Sequence, residues 1–271
     1  MTQTVRIPLA LKLAYTAFMA VLIPVYWHYY GPTNFLYFCD IALIVTLIAI
    51  WSEHALLISM CCVGILVPQA IWVADFILNL SGYSLTGMTD YMFDPSRSLF
   101  LRLLSLFHGW LPFLLAYLVW KTGYDRRALW SWTAVAWALL LVCFFLMRPP
   151  TPEPGLTPVN INYVWGLSDH EAQTWVPALV WLTGLVIGLP LLAFAPTHYL
   201  LSRVLPDASI RSRSDAGARR RTKLIRPAAI RAAFRLARPA RRNPRLRRFH
   251  CLHCAWRHGD CRCRLGGREP G

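Results

Sequence analysis

The chain has 271 residues, of which 56% are hydrophobic and only 15% charged, above the roughly 45–50% apolar usage of soluble domains. Its formal charge of +15 is unevenly placed: residues 1–204 hold nine basic and nine acidic side chains, whereas residues 205–271 hold 19 and 4. Charge-driven nucleic-acid binding is therefore not expected of the first three quarters of the chain and is confined to the tail.

A hydrocarbon core about 30 Å thick needs about 20 apolar residues in a helix, which satisfies its own backbone hydrogen bonds there. Six stretches qualify: Leu9 to Trp27, Asn34 to Trp51, Ala55 to Leu80, Leu99 to Trp120, Leu129 to Met147 and Trp175 to Ser202. They predict an all-α fold, a polytopic membrane helix bundle of about six transmembrane helices, forming one domain over residues 1–205. The first stretch follows Arg6 as a secretory signal would, but no small-residue cleavage site ends it and further spans follow, so it is expected to remain as an uncleaved helix. Between the first two spans lies the turn Tyr29 to Asn34, whose Thr33 or Asn34 would cap the second helix. Ser52-Glu53-His54 forces an antiparallel pair, Lys121 to Arg127 is a charged connector, and Arg148 to Thr174 is a long Pro-rich loop. Trp27, Trp51, Trp120, Trp130 and Trp175, five of twelve tryptophans, sit near span ends, at the level of lipid headgroups.

Loop charges set the expected orientation. With the N-terminus inside, Arg6, Lys12, Lys121, Arg126, Arg127 and Arg203 lie inside, against Arg97, Arg148 and at most Arg102 outside, so both ends of the membrane domain are expected to be cytoplasmic.

An ionisable side chain within a span costs about 2.5 to 3.5 kcal/mol on insertion scales and usually faces the bundle interior or a cavity. Cys39 and Asp40, Asp75, Arg102 and His108 stand out. At 1.5 Å per residue, Cys39 and Asp75 lie about 8 Å, and His108 about 14 Å, below the outer ends of their helices. Pro68, Trp72, Asp75 and Asn79 share one helix face, as do Ser105, His108 and Pro112. A thiol activated by histidine, with a carboxylate to orient the imidazole, would make an acyl-transfer site from Cys39, His108 and either Asp75 or Asp40, with Asp75 geometrically freer. The structural alternative pairs Asp75 with Arg102 and lets His108 bond a carbonyl or hydroxyl within the bundle.

Three segments, NFLYFCDIAL (residues 34–43), LSLFHGWLPF (104–113) and VNINYVWGLSD (159–169), together resemble the YwaF-like family of bacterial six-helix integral membrane proteins. More distantly they are similar to eukaryotic transmembrane acyltransferases acting on ether phospholipids. The resemblance implies a bacterial inner-membrane location, membrane lipids as partners, Cys39 as acyl-accepting thiol and His108 as base. It also implies a substrate-side loop of Asn160, Asn162 and Tyr163; Arg102 and Trp72, from the polar residues of the helices themselves, are expected to bind substrate as well. The two functions expected from sequence are thus a lipid-directed acyltransferase or hydrolase and, as alternative, a non-enzymatic transporter or assembly factor in which Asp75, His108 and Arg102 line a polar path. No dinucleotide fingerprint, phosphate-cradling glycine loop or haem motif occurs, and no cofactor is expected.

From Pro206 the chain becomes Arg-, Ala- and Pro-rich, a composition that cannot bury enough apolar surface to order itself and that would be drawn to an anionic inner leaflet. The same composition arises when a GC-rich gene is read out of frame. The run HCLHCAWRHGDCRC (250–263) carries zinc-ligand residue types, but its Cys-x-Cys half is too cramped for a second knuckle, and no metal site is expected.

Overall fold

The computed structural model describes residues 7–151, 156–168 and 171–208. The tail from residue 209 onward, with its Cys/His run, lies outside the described residues. The described residues form six apolar helical columns: α1 (Leu9–Tyr30), α2 (Phe38–Ser52), α3 (Ala55–Leu80), then α4 (Leu99–Leu104) with α5 (Phe107–Thr122), α6 (Ala128–Leu146), and finally α7 (Ala178–Leu189) with α8 (Ala195–Val204). Five columns are long and apolar enough to cross a bilayer, while α2, with 15 residues, is shorter. Among the described residues there is no strand beyond one isolated bridge. Outward-facing positions carry exposed Phe113, Phe145, Leu146, Leu191 and Leu192, so the bundle is apolar on its outside as well as its inside. That is the pattern of a multi-pass integral membrane protein.

The axis of the bundle is α3, which packs against α2, α5 and α6. It meets α6 tightly at Gly64, where an added Cβ would fall inside the fully buried indole of Trp132. Only a residue without a side chain lets that ring lie flat on α3.

Three columns differ from the expected spans, each for a local reason. The second begins later, at Phe38, because Pro32–Leu36 forms a 3-10 turn. Neither Thr33 nor Asn34 caps α2. The Phe38 N–H instead donates to Asn162 Oδ1 at 3.0 Å, a cap supplied from 124 residues away. The fourth breaks at Ser105–Leu106, where Ser105 Oγ donates back to the Leu101 carbonyl at 3.3 Å, a bond that bends helices. The next bonds run i to i−3, from His108 N to Ser105 O and from Gly109 N to Leu106 O. The sixth column contains a π turn over Pro190–Phe194. Pro190 has no N–H for the Val186 carbonyl, and Trp137 Nε1 on α6 donates to that oxygen at 2.8 Å.

The bundle has two unlike ends. At one, Lys12 Nζ and Glu53 Oε1 are paired at 2.6 Å with side chains only 13% and 6% exposed, and the Ile7 N–H joins the same oxygen at 3.1 Å. The connector 123–127 lies there too: Tyr124 exchanges backbone bonds with Pro206 and Ala208, and its hydroxyl lies 2.6 Å from His198 Nδ1. The opposite, loop-rich end gathers residues 31–37, 81–98 and 156–168. The exposed Trp27, Trp51, Trp120, Trp130 and Trp175 stand near column ends, as the aromatic-belt reading requires.

Gly64→Ala is expected to destabilise the bundle by about 1–3 kcal/mol, the usual range for overpacking a tight core. Thermal unfolding of the detergent-purified protein measures this. An unchanged midpoint would mean that the Trp132 ring steps aside at no cost.

Candidate functional site

Asp75 decides how the loop-rich end is built. It is fully buried on α3, and all its acceptor capacity goes to the connection that follows the helix. Oδ1 accepts from the Leu85 and Thr86 N–H groups at 2.8 and 2.7 Å, and Oδ2 from the N–H and hydroxyl of Thr89 at 3.0 and 2.6 Å. Asp90 adds a second tie, accepting from Asn79 Nδ2 at 2.8 Å and Ser84 Oγ at 3.1 Å. Gly82 and Gly87, with φ of +82° and +79°, let the chain fold back on itself. Among the described residues no ion pair joins Asp75 to Arg102, and its oxygens bond this loop rather than the His108 ring.

Pinned in this way, the connection lays Tyr91 against the bundle. Its phenol has Ser105, Cys39, Trp72 and Tyr30 within electrostatic reach, and burial holds it well above the usual tyrosine range. Around it stand groups from four columns. Tyr26 OH and Ser105 Oγ are 2.9 Å apart. The Tyr26 and Tyr30 rings meet edge to face at 5.0 Å. The buried Trp72 indole N–H has no hydrogen-bond partner among the described residues.

His108 lies flat on Trp72, with ring centroids 4.6 Å apart and planes 17° from parallel, and Phe107 lies on its own helix at 4.0 Å. Its Nδ1 is 2.8 Å from the Ser105 carbonyl oxygen. A carbonyl only accepts, so Nδ1 carries the hydrogen, and in the neutral ring the lone pair is on Nε2. The break in the fourth column thus fixes the tautomer of its histidine.

Cys39 is a half-buried free thiol in the first turn of α2. Its neighbour Asp40 is 3% exposed. Asp40 Oδ2 accepts from Asn34 Nδ2 at 3.0 Å, whereas Oδ1 is buried with no hydrogen-bond partner among the described residues. Below them, the loop of Asn160, Asn162 and Tyr163 serves as a clamp. Asn160 Nδ2 donates to the Gly166 and Ser168 carbonyls, both at 2.8 Å, and its Oδ1 accepts from Trp165 N at 3.0 Å. Asn162, in the left-handed region at φ 57°, caps α2 and donates to the Leu36 carbonyl at 2.9 Å. Tyr163 also has positive φ, and its carbonyl accepts from Trp181 Nε1 at 2.8 Å.

The structure thus puts Cys39 and Trp72 within electrostatic reach of Tyr91, with Asp40 next to Cys39 on α2 and His108 stacked on Trp72. Arg102, whose Nη1 donates to the Met92 carbonyl at 3.2 Å, reaches the residue next to Tyr91. The amides of Asn160 and Asn162 are spent on backbone groups. Tyr91, Tyr26 and Arg97 are members that sequence reasoning missed. A glycine-punctuated connection placed shortly after a buried aspartate was the one signal that pointed to Tyr91 and Arg97. Among the described residues no group of three or more His, Cys, Asp or Glu side chains gathers to hold a metal ion. No protein-family model, curated protein or solved structure matches the chain.

Asp75→Asn keeps the shape but replaces an acceptor oxygen with a donor facing donors. Amide protection over residues 85–92, read by hydrogen exchange, is expected to fall about 10- to 100-fold, as loss of a bond to a charged group of about 1.5–3 kcal/mol implies. Unchanged protection would show that the carboxylate does not hold the loop. The raised Tyr91 phenol makes a second prediction. A folded-state value above the unfolded one contributes stability up to the ordinary tyrosine range near pH ~10 and loses it as the pH rises further. The alkaline loss of protection in this loop should therefore be smaller in Tyr91→Phe than in the unsubstituted chain.

Proposed function

We propose that the loop-rich end is a lipid-directed acyl-transfer or acyl-hydrolysis site with Cys39 as nucleophile and His108 as base, in a protein of the YwaF-like family. The observation that carries this reading is the fixed tautomer of His108. With Nδ1–H held by the Ser105 carbonyl, Nε2 is left with its lone pair, the arrangement a general base needs. In the step envisaged, Nε2 takes the Cys39 proton and the sulfur attacks an ester carbonyl carbon. A C–S bond forms, the ester C–O bond breaks, and the imidazolium returns its proton to the departing alkoxide. Water or a second lipid hydroxyl then takes the acyl group from sulfur. Asp75 acts in this scheme as a positioning residue for the loop rather than as orienter of the imidazole, since the Ser105 carbonyl has that role. The six-column bundle, with Cys39-Asp40, His108-Gly109 and the Asn160–Tyr163 clamp at one end, supports the family assignment. The bias of basic residues toward the opposite end, with Lys12, Lys121, Arg126, Arg127 and Arg203, supports an outward-facing site with both ends of the bundle cytoplasmic.

A second reading is favoured by the unpartnered Asp40 oxygen, which suits a proton-handling carboxylate in a non-enzymatic transporter. Incubating the reconstituted full chain with an alkyne-tagged fatty acyl thioester separates the two. The enzyme reading expects a hydroxylamine-sensitive label on Cys39 that is absent from Cys39→Ala and formed roughly 100-fold or more slowly by His108→Gln, the usual contribution of a general base. Equal labelling of the unsubstituted chain and folded Cys39→Ala sinks it, and proton flux abolished by Asp40→Asn but untouched by Cys39→Ala would favour the transporter.

A further inference from the structure

At the loop-rich end Arg102 has no carboxylate partner among the described residues, and Arg97 has only a loose one. Arg102 is half-buried on α4, makes one hydrogen bond among the described residues, to the Met92 carbonyl, and has a buried Nε without a hydrogen-bond partner. Arg97 precedes α4, and its guanidinium lies 5.6 Å from the Tyr30 ring and 5.3 Å from the Tyr91 ring. It reaches Tyr30 OH only at 3.4 Å, and its Nε is likewise buried with no hydrogen-bond partner. A guanidinium whose Nε–H is buried and unmet is costly unless an acceptor meets it.

The nearby carboxylates are otherwise occupied. Asp75 is filled by loop amides and Thr89, and the exposed Asp90 turns its Oδ1 to Asn79 and Ser84. Asp94 accepts from both the N–H and hydroxyl of Ser96, at 2.8 and 2.7 Å, and meets Arg97 Nε only at 3.8 Å. Both arginines lie within electrostatic reach of Asp94, and one carboxylate cannot neutralise two guanidiniums.

The surface beside them names the ligand's other half. Leu99, Phe100 and Leu103 of the same helix are 62%, 52% and 53% exposed. Leu99 and Leu103 are one turn apart, with Arg102 adjacent on the helix surface. Cations bordering an apolar helix face at a column end suit a molecule with an anionic head and hydrocarbon chains, and guanidiniums match phosphate geometry through forked N–H pairs.

We propose that Arg97 and Arg102 bind the phosphate of a membrane phospholipid whose acyl chains lie along Leu99, Phe100 and Leu103. The site stands whether or not Cys39 is a nucleophile. Where that chemistry also holds, the substrate class becomes a phospholipid rather than a neutral acylglycerol.

Binding is read without turnover. The full chain in detergent micelles is titrated with a fluorescently tailed phosphatidylcholine and with the diacylglycerol of the same chains. A zwitterionic lipid is used so that the basic tail does not dominate. The expected result is saturable phosphatidylcholine binding, with diacylglycerol about tenfold weaker or worse, the worth of one lost charge-assisted contact. Arg97→Gln/Arg102→Gln brings the two lipids to the same weak affinity, and Arg102→Lys falls between, keeping the charge but losing the fork. Equal affinity of the unsubstituted chain for both lipids overturns the proposal, as does a folded double variant with undiminished preference. Displacement of phosphatidylcholine by inorganic phosphate as complete as that by unlabelled lipid would assign the site to free phosphate and overturn the lipid source. If the double variant does not fold, the comparison of the two lipids on the unsubstituted chain decides alone.

Discussion

A buried carboxylate with no cation is the constraint on which the loop-rich end depends. Asp75 sits in the interior of α3 with no exposed surface, where an unmet charge would be prohibitive. Three backbone N–H groups and one hydroxyl meet it instead. The connection 81–98 therefore has to fold over that helix end. Tyr91 comes to rest beside Ser105 and Trp72, Arg97 lies across two tyrosine rings, and Ser98 is left to cap α4, its Oγ accepting from Leu101 N at 3.3 Å. A polar cluster is thus assembled by one acidic side chain acting through backbone.

The same logic recurs wherever the helical ladder is interrupted. In hydrocarbon a freed carbonyl or N–H has no water to turn to, and here side chains from other columns take that part. Trp137 serves the carbonyl freed by Pro190, Asn162 serves the open N-terminus of α2, and the His108 ring joins its own N–H on the Ser105 carbonyl. Each substitution of a side chain for a ladder bond also fixes that side chain in place. This is how irregular backbone and positioned chemistry come to coincide at one end of the bundle.

The columns were legible in the sequence because hydrophobic length alone defines them, and tryptophans mark their ends. That Cys39, Asp75 and His108 lie toward the same end of their columns was legible for the same reason, since position along a helix follows from counting residues. Partnerships were not. Asp75 carries no sequence mark of its acceptor role, because its donors are backbone amides that every residue possesses. Asn162 reads as a turn residue until its contact with Phe38 is seen across 124 positions. The break at Ser105 hides within a continuous apolar run, since a serine bending a helix and a serine merely facing a neighbour look alike as letters. Tyr91 was missed because loop aromatics are usually assigned to the headgroup level, not to the bundle interior.

The seat of Trp132 on Gly64 has a bearing on how such a chain can change over time. The two positions form a lock with a fixed order of opening: a smaller residue at 132 makes room for a side chain at 64, whereas the reverse order passes through a sequence in which two groups claim the same volume. Drift at this contact is therefore directional. Descendants that retain the indole at 132 are held to glycine at 64 regardless of what the loop-rich end evolves to do. Those that give up the indole are free to vary at both positions.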